Sequence, residues 1–333
     1  MSRYAAAHAN PQGQGDARPT ALDIVRDENM EGKLDGKMIV ITGTSSGIGI
    51  ETARALATTG ASLILTARDL PKARKALGSI LDSEKVQLVE LELDSFESVR
   101  AAASTILSKT DKINILVNNA GVMATPDVRL TRDGHEMQFG TNHLGHFLLF
   151  ELLKPAILAA STPEFQSRVV NLSSVAHVYS GINASDNYNY QKGGYAPWAA
   201  YGQSKTANIY MANEIERRYG CQGIHATSLH PGGIGTELGR HLDPAVMAEM
   251  MKDTNLMKYI KSVEQGAATT VWAAIGKEWE GKGGKYLTNC RVAEGIFQEG
   301  GDIHGSNAHA AHAYKPEDEA RLWEDSLKIV GLA

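Results

Sequence analysis

From Lys37 onward, short runs of consecutive apolar, β-branched residues alternate with longer stretches in which apolar residues recur every three or four positions. The first kind reads as strands buried on both faces, the second as helices with one face on a core. Strands are predicted over Met38–Thr42, Ser62–Thr66, Val86–Glu90, Ile113–Asn118, Arg168–Leu172, Ile224–Leu229 and Lys285–Thr288. Helices are predicted between them, over Ile48–Thr59, Asp69–Asp82, Phe96–Ser108, Gly134–Ala160, Trp198–Tyr219 and Ser262–Ile275. Repeated strand–helix units imply an α/β fold, a doubly wound parallel sheet of about seven strands covered on both faces.

The flanks read differently. Residues 1–33 form an N-terminal extension whose first nineteen residues lack an apolar core and are expected to be a mobile tail. Thr20 then reads as the N-cap of a short helix to Asn29, with Leu22, Ile24 and Val25 packing on the outside of the main domain. The single domain spans 34–290. A C-terminal part, 291–333, closes with a helix over Pro316–Val330 that carries Leu322, Trp323, Leu327 and Val330 on one side. No repeat at a solenoid period is visible.

Composition narrows the partners. The 333 residues are 43% hydrophobic and carry a formal net charge of −5 with no long basic run, which argues against nucleic acid and anionic membrane. Phe147–Ala160 is the most apolar stretch, but Glu151, Lys154 and Pro155 interrupt it, so no integral membrane segment is expected. Two cysteines, Cys221 and Cys290, cannot build a disulfide framework and suit a reducing, cytoplasmic setting.

Two patterns carry chemistry. After the first predicted strand come Gly43, Thr44, Ser45, Ser46, Gly47, Ile48 and Gly49, opening a helix. Glycines there allow a tight turn and bring backbone N–H groups close to a pyrophosphate at the positive end of a helix, which makes the sheet Rossmann-like. Far downstream, Tyr201 and Lys205 stand one helical turn apart on one face. An ammonium beside a phenol favours phenolate, so the pair is expected to bring the tyrosine below its ordinary pKa of ~10. Such a group serves as a proton donor to a carbonyl oxygen receiving hydride at its carbon.

With these motifs placed, the chain resembles the short-chain dehydrogenase/reductase superfamily, in particular its retinol dehydrogenase-like branch with related fungal and plant reductases. The resemblance covers roughly 34–289 and rests on Thr42–Gly49, Asn118–Gly121 (NNAG), Asn142 within Thr141–Phe147, Ser173–His177, the Tyr201/Lys205 pair and Pro231–Thr236 (PGGIGT). It implies that Tyr201 is the general acid or base and that Lys205 bonds the nicotinamide ribose. It further implies that Ser174 rather than Ser173 holds the substrate oxygen and that Asn142 bends its helix and holds a relay water. Asn118, Asn119, Ala120 and Gly121 are implied to floor the adenosine ribose, and Asp94 to meet the adenine amine or to cap the helix from Phe96. Pro231, Gly232 and Thr236 are implied to meet the nicotinamide carboxamide.

Cofactor choice turns on Arg68, after the second strand, whose fork suits a 2′-phosphate; the neighbouring Asp69 reads as a helix N-cap. Thr44 and Ser45 offer hydroxyl donors. NADP (NADPH) is therefore expected ahead of NAD. The substrate is expected to be a small molecule, bulky and apolar, because the segment between Thr236 and Ser262, which the resemblance implies is a lid, is rich in methionine; the same methionines suit a flap packed on the core. The segment Val178–Trp198 separates Ser174 from Tyr201 and carries Tyr179, Tyr188, Tyr190, Tyr195 and Trp198, which suit either a pocket lining or a self-anchored loop. His143, His146, His304, His309 and His312 lack the partners of a metal shell, so no metal is expected. Redox-neutral chemistry such as dehydration or epimerisation, and nucleotide sensing without turnover, remain alternatives to carbonyl–alcohol interconversion. Either a monomer or a homodimer fits, because the helices Gly134–Ala160 and Trp198–Tyr219 form the dimer face in many similar proteins.

Overall fold

The computed structural model describes residues 2–333. The strands β1 (Met38–Thr42), β2 (Ser62–Ala67), β3 (Val86–Glu90), β4 (Ile115–Asn118), β5 (Ser167–Leu172), β6 (Ile224–His230), β7 (Lys285–Thr288) and β8 (Arg291–Val292) form one sheet. Their order is β3-β2-β1-β4-β5-β6-β7-β8. The first seven are parallel, and β8 turns back antiparallel on β7. All of β4 and β5 is buried, as befits strands covered on both faces, and the buried Arg168 of β5 is answered by the Ala274 and Gly276 carbonyls and by Glu280. β8 lies outside the sequence expectation because a two-residue strand is too short to leave a hydrophobic pattern.

Helices cover both faces. α1 (Ala21–Asp27), α2 (Ile48–Ala57), α3 (Leu70–Leu77) and α10 (Val263–Ile275) share a core with the strands on one side, through Ile24, Leu56, Leu77 and Trp272. α4 (Phe96–Leu107), α6 (Gly145–Ala160), α7 (Pro197–Tyr219) and α11 (Pro316–Ile329) share the other, through Ile106, Phe147, Tyr210 and Trp323. Three short helices, α5 (Met137–Phe139), α8 (Pro244–Met250) and α9 (Thr254–Tyr259), complete the set. α1 begins at Thr20 with a capping box, its Oγ1 accepting from the Asp23 N–H and the Asp23 carboxylate accepting from the Thr20 N–H.

Two expectations are corrected here. The N-terminal segment is not a loose tail: Tyr4 and Arg18 are buried. The carbonyls that end the lid need donors, and Arg18 supplies them, donating to Tyr259, Ile260, Lys258 and Gly13 while pairing with Asp16. The second correction concerns the extent of the most apolar helix. Helical backbone runs from Met137 to Ala160, 24 residues, long and apolar enough to cross a membrane by length and composition. It is a core helix of this fold, with 67% of its apolar window buried. The helix also starts later than Gly134, because Gly134 has φ +83° and Glu136 acts as N-cap to Gln138 and Phe139.

Candidate active site

The strand order reverses between β1 and β4, and the crevice at their carboxyl ends is where such sheets hold ligands. Its floor is the glycine turn. A side chain at Gly49 would put Cβ 2.2 Å from the Gly43 carbonyl oxygen and 2.6 Å from Asn119 Nδ2, and at Gly43 2.7 Å from Ala120 Cα. Only bare backbone fits. α2 follows Gly47, which offers it no side-chain cap, so the first N–H groups of the helix find no side-chain acceptor at that residue. The Asn119 side-chain amide is bonded within the fold, donating to the Thr42 and Gly43 carbonyls. The backbone N–H groups of Asn119 and Ala120 both donate to Thr42 Oγ1, which ties the turn after β4 to the turn after β1.

His146 completes that tie and was not assigned this role from sequence. Its Nδ1 must donate to the Asn142 carbonyl (2.9 Å), since a carbonyl only accepts. The ring is neutral, held down at about 4 by burial, so Nε2 accepts from the Thr42 hydroxyl at 2.8 Å. Asn142 lies in a π-helical turn, Gly140–Leu144, inside the long helix. Its side chain accepts from the Val122 N–H and donates to the Val122 carbonyl and Ser204 Oγ. The long helix is thus irregular at Asn142, where the π turn inserts one residue.

Ser174, Tyr201 and Lys205 converge beside this turn. The Ser174 hydroxyl accepts from the Ala176 N–H and stands close enough to the Tyr201 phenol to act on its acidity, while Ser173 donates to the Lys205 carbonyl. Lys205 Nζ lies 5.5 Å from the centre of the Tyr201 ring and donates to the Leu172 carbonyl at 3.0 Å. The electrostatics differ from the sequence expectation. Burial raises the Tyr201 phenol well above its ordinary value, with the Ser174 hydroxyl working against it. Burial likewise brings Lys205 down to about 7. Desolvation penalises both charged forms, and at 3% and 4% exposure it outweighs the attraction between them. A Cβ at Gly121 would lie 3.1 Å from Asn142 Oδ1 and 3.5 Å from Lys205 Nζ, so the floor of the crevice abuts the lysine.

The remaining expected residues ring the crevice. Arg68 is exposed after β2, and Asp69 caps α3 through the Lys72 N–H, its carboxylate turned away from the crevice. Arg240 in the lid lies close enough for Arg68 to lower its pKa, second to burial. Ser95, not Asp94, caps α4, so the alternative role for Asp94 is corrected: the shorter hydroxyl one position later reaches the Ser98 N–H. Pro231 and Gly232 follow β6, and the Thr236 methyl would lie 3.2 Å from a Cβ at Gly47, so the turns after β1 and β6 meet. The Val178–Trp198 segment divides. Tyr188 is buried, stacked on Phe139 and bonded to Asp325, whereas Tyr179 and Trp198 are 54% and 41% exposed, with Trp198 edge-on to Tyr201 at 6.1 Å. In the lid, Leu256 is buried, but Val246, Met247, Met250 and Met251 are exposed. Among the described residues no three His, Cys, Asp or Glu gather as a metal set. His143 is bonded to Ser326 and His312 to the His177 carbonyl.

The model of the family described as "short chain dehydrogenase" matches residues 37–246, which span β1 to β6, the glycine turn and Ser174, Tyr201 and Lys205. The chain belongs to that family. This short-chain dehydrogenase is an oxidoreductase similar over its whole length to named relatives. It is 52% identical over 331 residues to short-chain dehydrogenase/reductase prx1 of Penicillium roqueforti, covering 99% of this chain and 96% of that protein. It is 38% identical to human retinol dehydrogenase 13, over 90% of this chain and 86% of that one. Among solved structures, the RhlG/NADP active-site complex of Pseudomonas aeruginosa aligns with TM-score 0.62 at 24% identity, covering 77% of this chain and 95% of that one.

Proposed function

We propose that this short-chain dehydrogenase is an NADP-dependent enzyme interconverting a carbonyl and an alcohol on a mainly apolar small molecule. The observation that carries the reading is the abutment of Gly121 on Lys205 Nζ and Asn142 Oδ1, which joins the dinucleotide floor to the proton-handling trio. The uncapped start of α2 and the bare turn Gly43–Gly49 fit a pyrophosphate. Arg68 with Arg240 nearby fits a 2′-phosphate, and a cofactor of that kind is present in the aligned Pseudomonas aeruginosa complex. Bound NADPH supplies the hydride.

This chain's residues do the rest. Ser174 positions the substrate oxygen by hydrogen bond, and Tyr201 delivers a proton to it. A phenol raised by burial stays protonated at neutral pH, the form needed to act as an acid in carbonyl reduction. Lys205, protonated below about 7, is placed to bond ribose hydroxyls and to stabilise the phenolate left behind. Trp198, Tyr179 and the exposed lid methionines offer the apolar wall. α11 packs in one core with α6 and α7, which supports a monomer over a homodimer built on those helices. Both cysteines are free, which suits the cytoplasm.

Replacing Tyr201 by Phe tests the assignment. Turnover of an apolar ketone, followed at the NADPH absorbance, is expected to fall by roughly a thousandfold while NADPH still binds. A variant that keeps its activity contradicts it.

A further inference from the structure

A second buried lysine stands at the other end of the crevice. Lys261, 3% exposed, ends the lid just before α10. Its Nζ donates to the Pro231 carbonyl at 3.1 Å and to Asn289 Oδ1 at 2.8 Å, and no carboxylate pairs with it among the described residues. Its backbone N–H donates to the Gly233 carbonyl at 2.9 Å, and Lys261 forms a parallel bridge with Ile234. Its aliphatic stem fills the place of a side chain at Gly232. There φ is +113°, and a Cβ would come 2.8 Å from Lys261 Cδ. One residue therefore grips the turn Pro231–Ile234 through two backbone carbonyls, a bridge and a packed stem.

The grip is itself braced. Asn289 holds the left-handed conformation (φ +50°), as does Cys290 (φ +51°), and the Asn289 amide nitrogen donates to Asn307 Oδ1. Two successive left-handed residues that are not glycine are costly, and such backbone persists where surrounding contacts over-determine it. Behind Lys261, Arg18 binds the carbonyls of Tyr259 and Ile260, so the N-terminal segment fixes the chain from which the lysine projects. Burying an ammonium against neutral acceptors is unfavourable, and burial lowers Lys261 to about 8. An apolar side chain would fill the same volume at lower cost, so packing alone does not call for a lysine here.

We infer that Lys261 is a positioning residue for the cofactor: with Asn289 as its acceptor it sets the Pro231–Thr236 turn at the height the nicotinamide carboxamide meets. The inference rests on the reading under Proposed function, that this turn lies against the nicotinamide. Lys261 touches no reacting atom; it acts through the carbonyls of Pro231 and Gly233.

The test is Lys261→Met, which keeps the stem and removes the donors. The dissociation constant for NADPH, measured by titrating its fluorescence, is expected to rise about tenfold or more. The KM for NADPH rises with it, kcat for the ketone changes little, and the thermal midpoint does not fall. Amide exchange across 231–236 is expected to quicken in the variant and to lose the protection NADPH confers. Should Lys261→Met fail to fold, Asn289→Ala removes the acceptor alone and is expected to raise the same constant by a smaller factor. A folded variant with unchanged NADPH affinity and unchanged exchange in the turn overturns the inference. If the wild-type enzyme binds no NADPH, it is the proposed function that fails, and the two outcomes are told apart by that control.

Discussion

Arg68 and Lys205 show how much a single charge is asked to do. Arg68 has no carboxylate partner among the described residues, since Asp69 is spent on the α3 N-cap. Reversing it to Asp is expected to weaken NADPH binding by roughly ten- to a hundredfold, with little effect on NADH, as read from the two dissociation constants. Equal effects on both cofactors remove the 2′-phosphate assignment. Lys205 is a case of function opposing stability. Its pKa falls from 10.5 in the unfolded chain to about 7 when folded, so between those values the unfolded state binds the extra proton. Folded stability therefore rises with pH across that window. Lys205→Met is expected to raise the thermal midpoint at pH 7 by several degrees while removing turnover, and to flatten that pH dependence. A lowered midpoint would show the ammonium to be net stabilising. Tyr201 and Lys205 were legible because a helix puts residues four apart on one face. The depth at which they lie, and hence the direction of the phenol's shift, is set by strands and loops far away in sequence.

At the scale of elements, the regular pieces were readable and their irregular joints were not. The cap at Thr20, the strand runs and the apolar stripe of α11 are local patterns, and the structure places them within a few residues of expectation. The π turn at Asn142 and the two-residue β8 follow from tertiary contacts and leave no periodicity. α11 is held by Trp323, edge-on to Phe147 at 4.9 Å and to Phe150 at 6.2 Å, with the Arg218 guanidinium over its ring. Around it, Arg217 pairs with Glu319 and Arg218 with Glu324. Trp323→Ala is expected to cost about 3–5 kcal/mol of stability, seen as a lower urea midpoint. The same variant uncovers part of α6 and α7, so sedimentation is expected to show more self-association than in the parent. A variant that melts and sediments like the parent would mean that α11 is dispensable.

Across the whole molecule, the least legible feature is how the ends of the chain serve the middle. Arg18 meets Tyr259 across 241 positions and Ser2 meets Cys290 across 288, separations at which no pattern in the sequence points from one to the other. Aromatic residues are distributed with equal disregard for sequence distance, and one result is optical. Of the four tryptophans, Trp272, Trp279 and Trp323 are buried at 1%, 4% and 3%, while Trp198 is 41% exposed and borders Tyr201. Emission excited in the red edge of the indole band is thus expected to contain three components shielded from iodide and one open to it. A saturating apolar ketone should protect that one quenchable component. The enzyme then reports its own occupancy without a dye, and iodide quenching indifferent to ligand would place the substrate elsewhere.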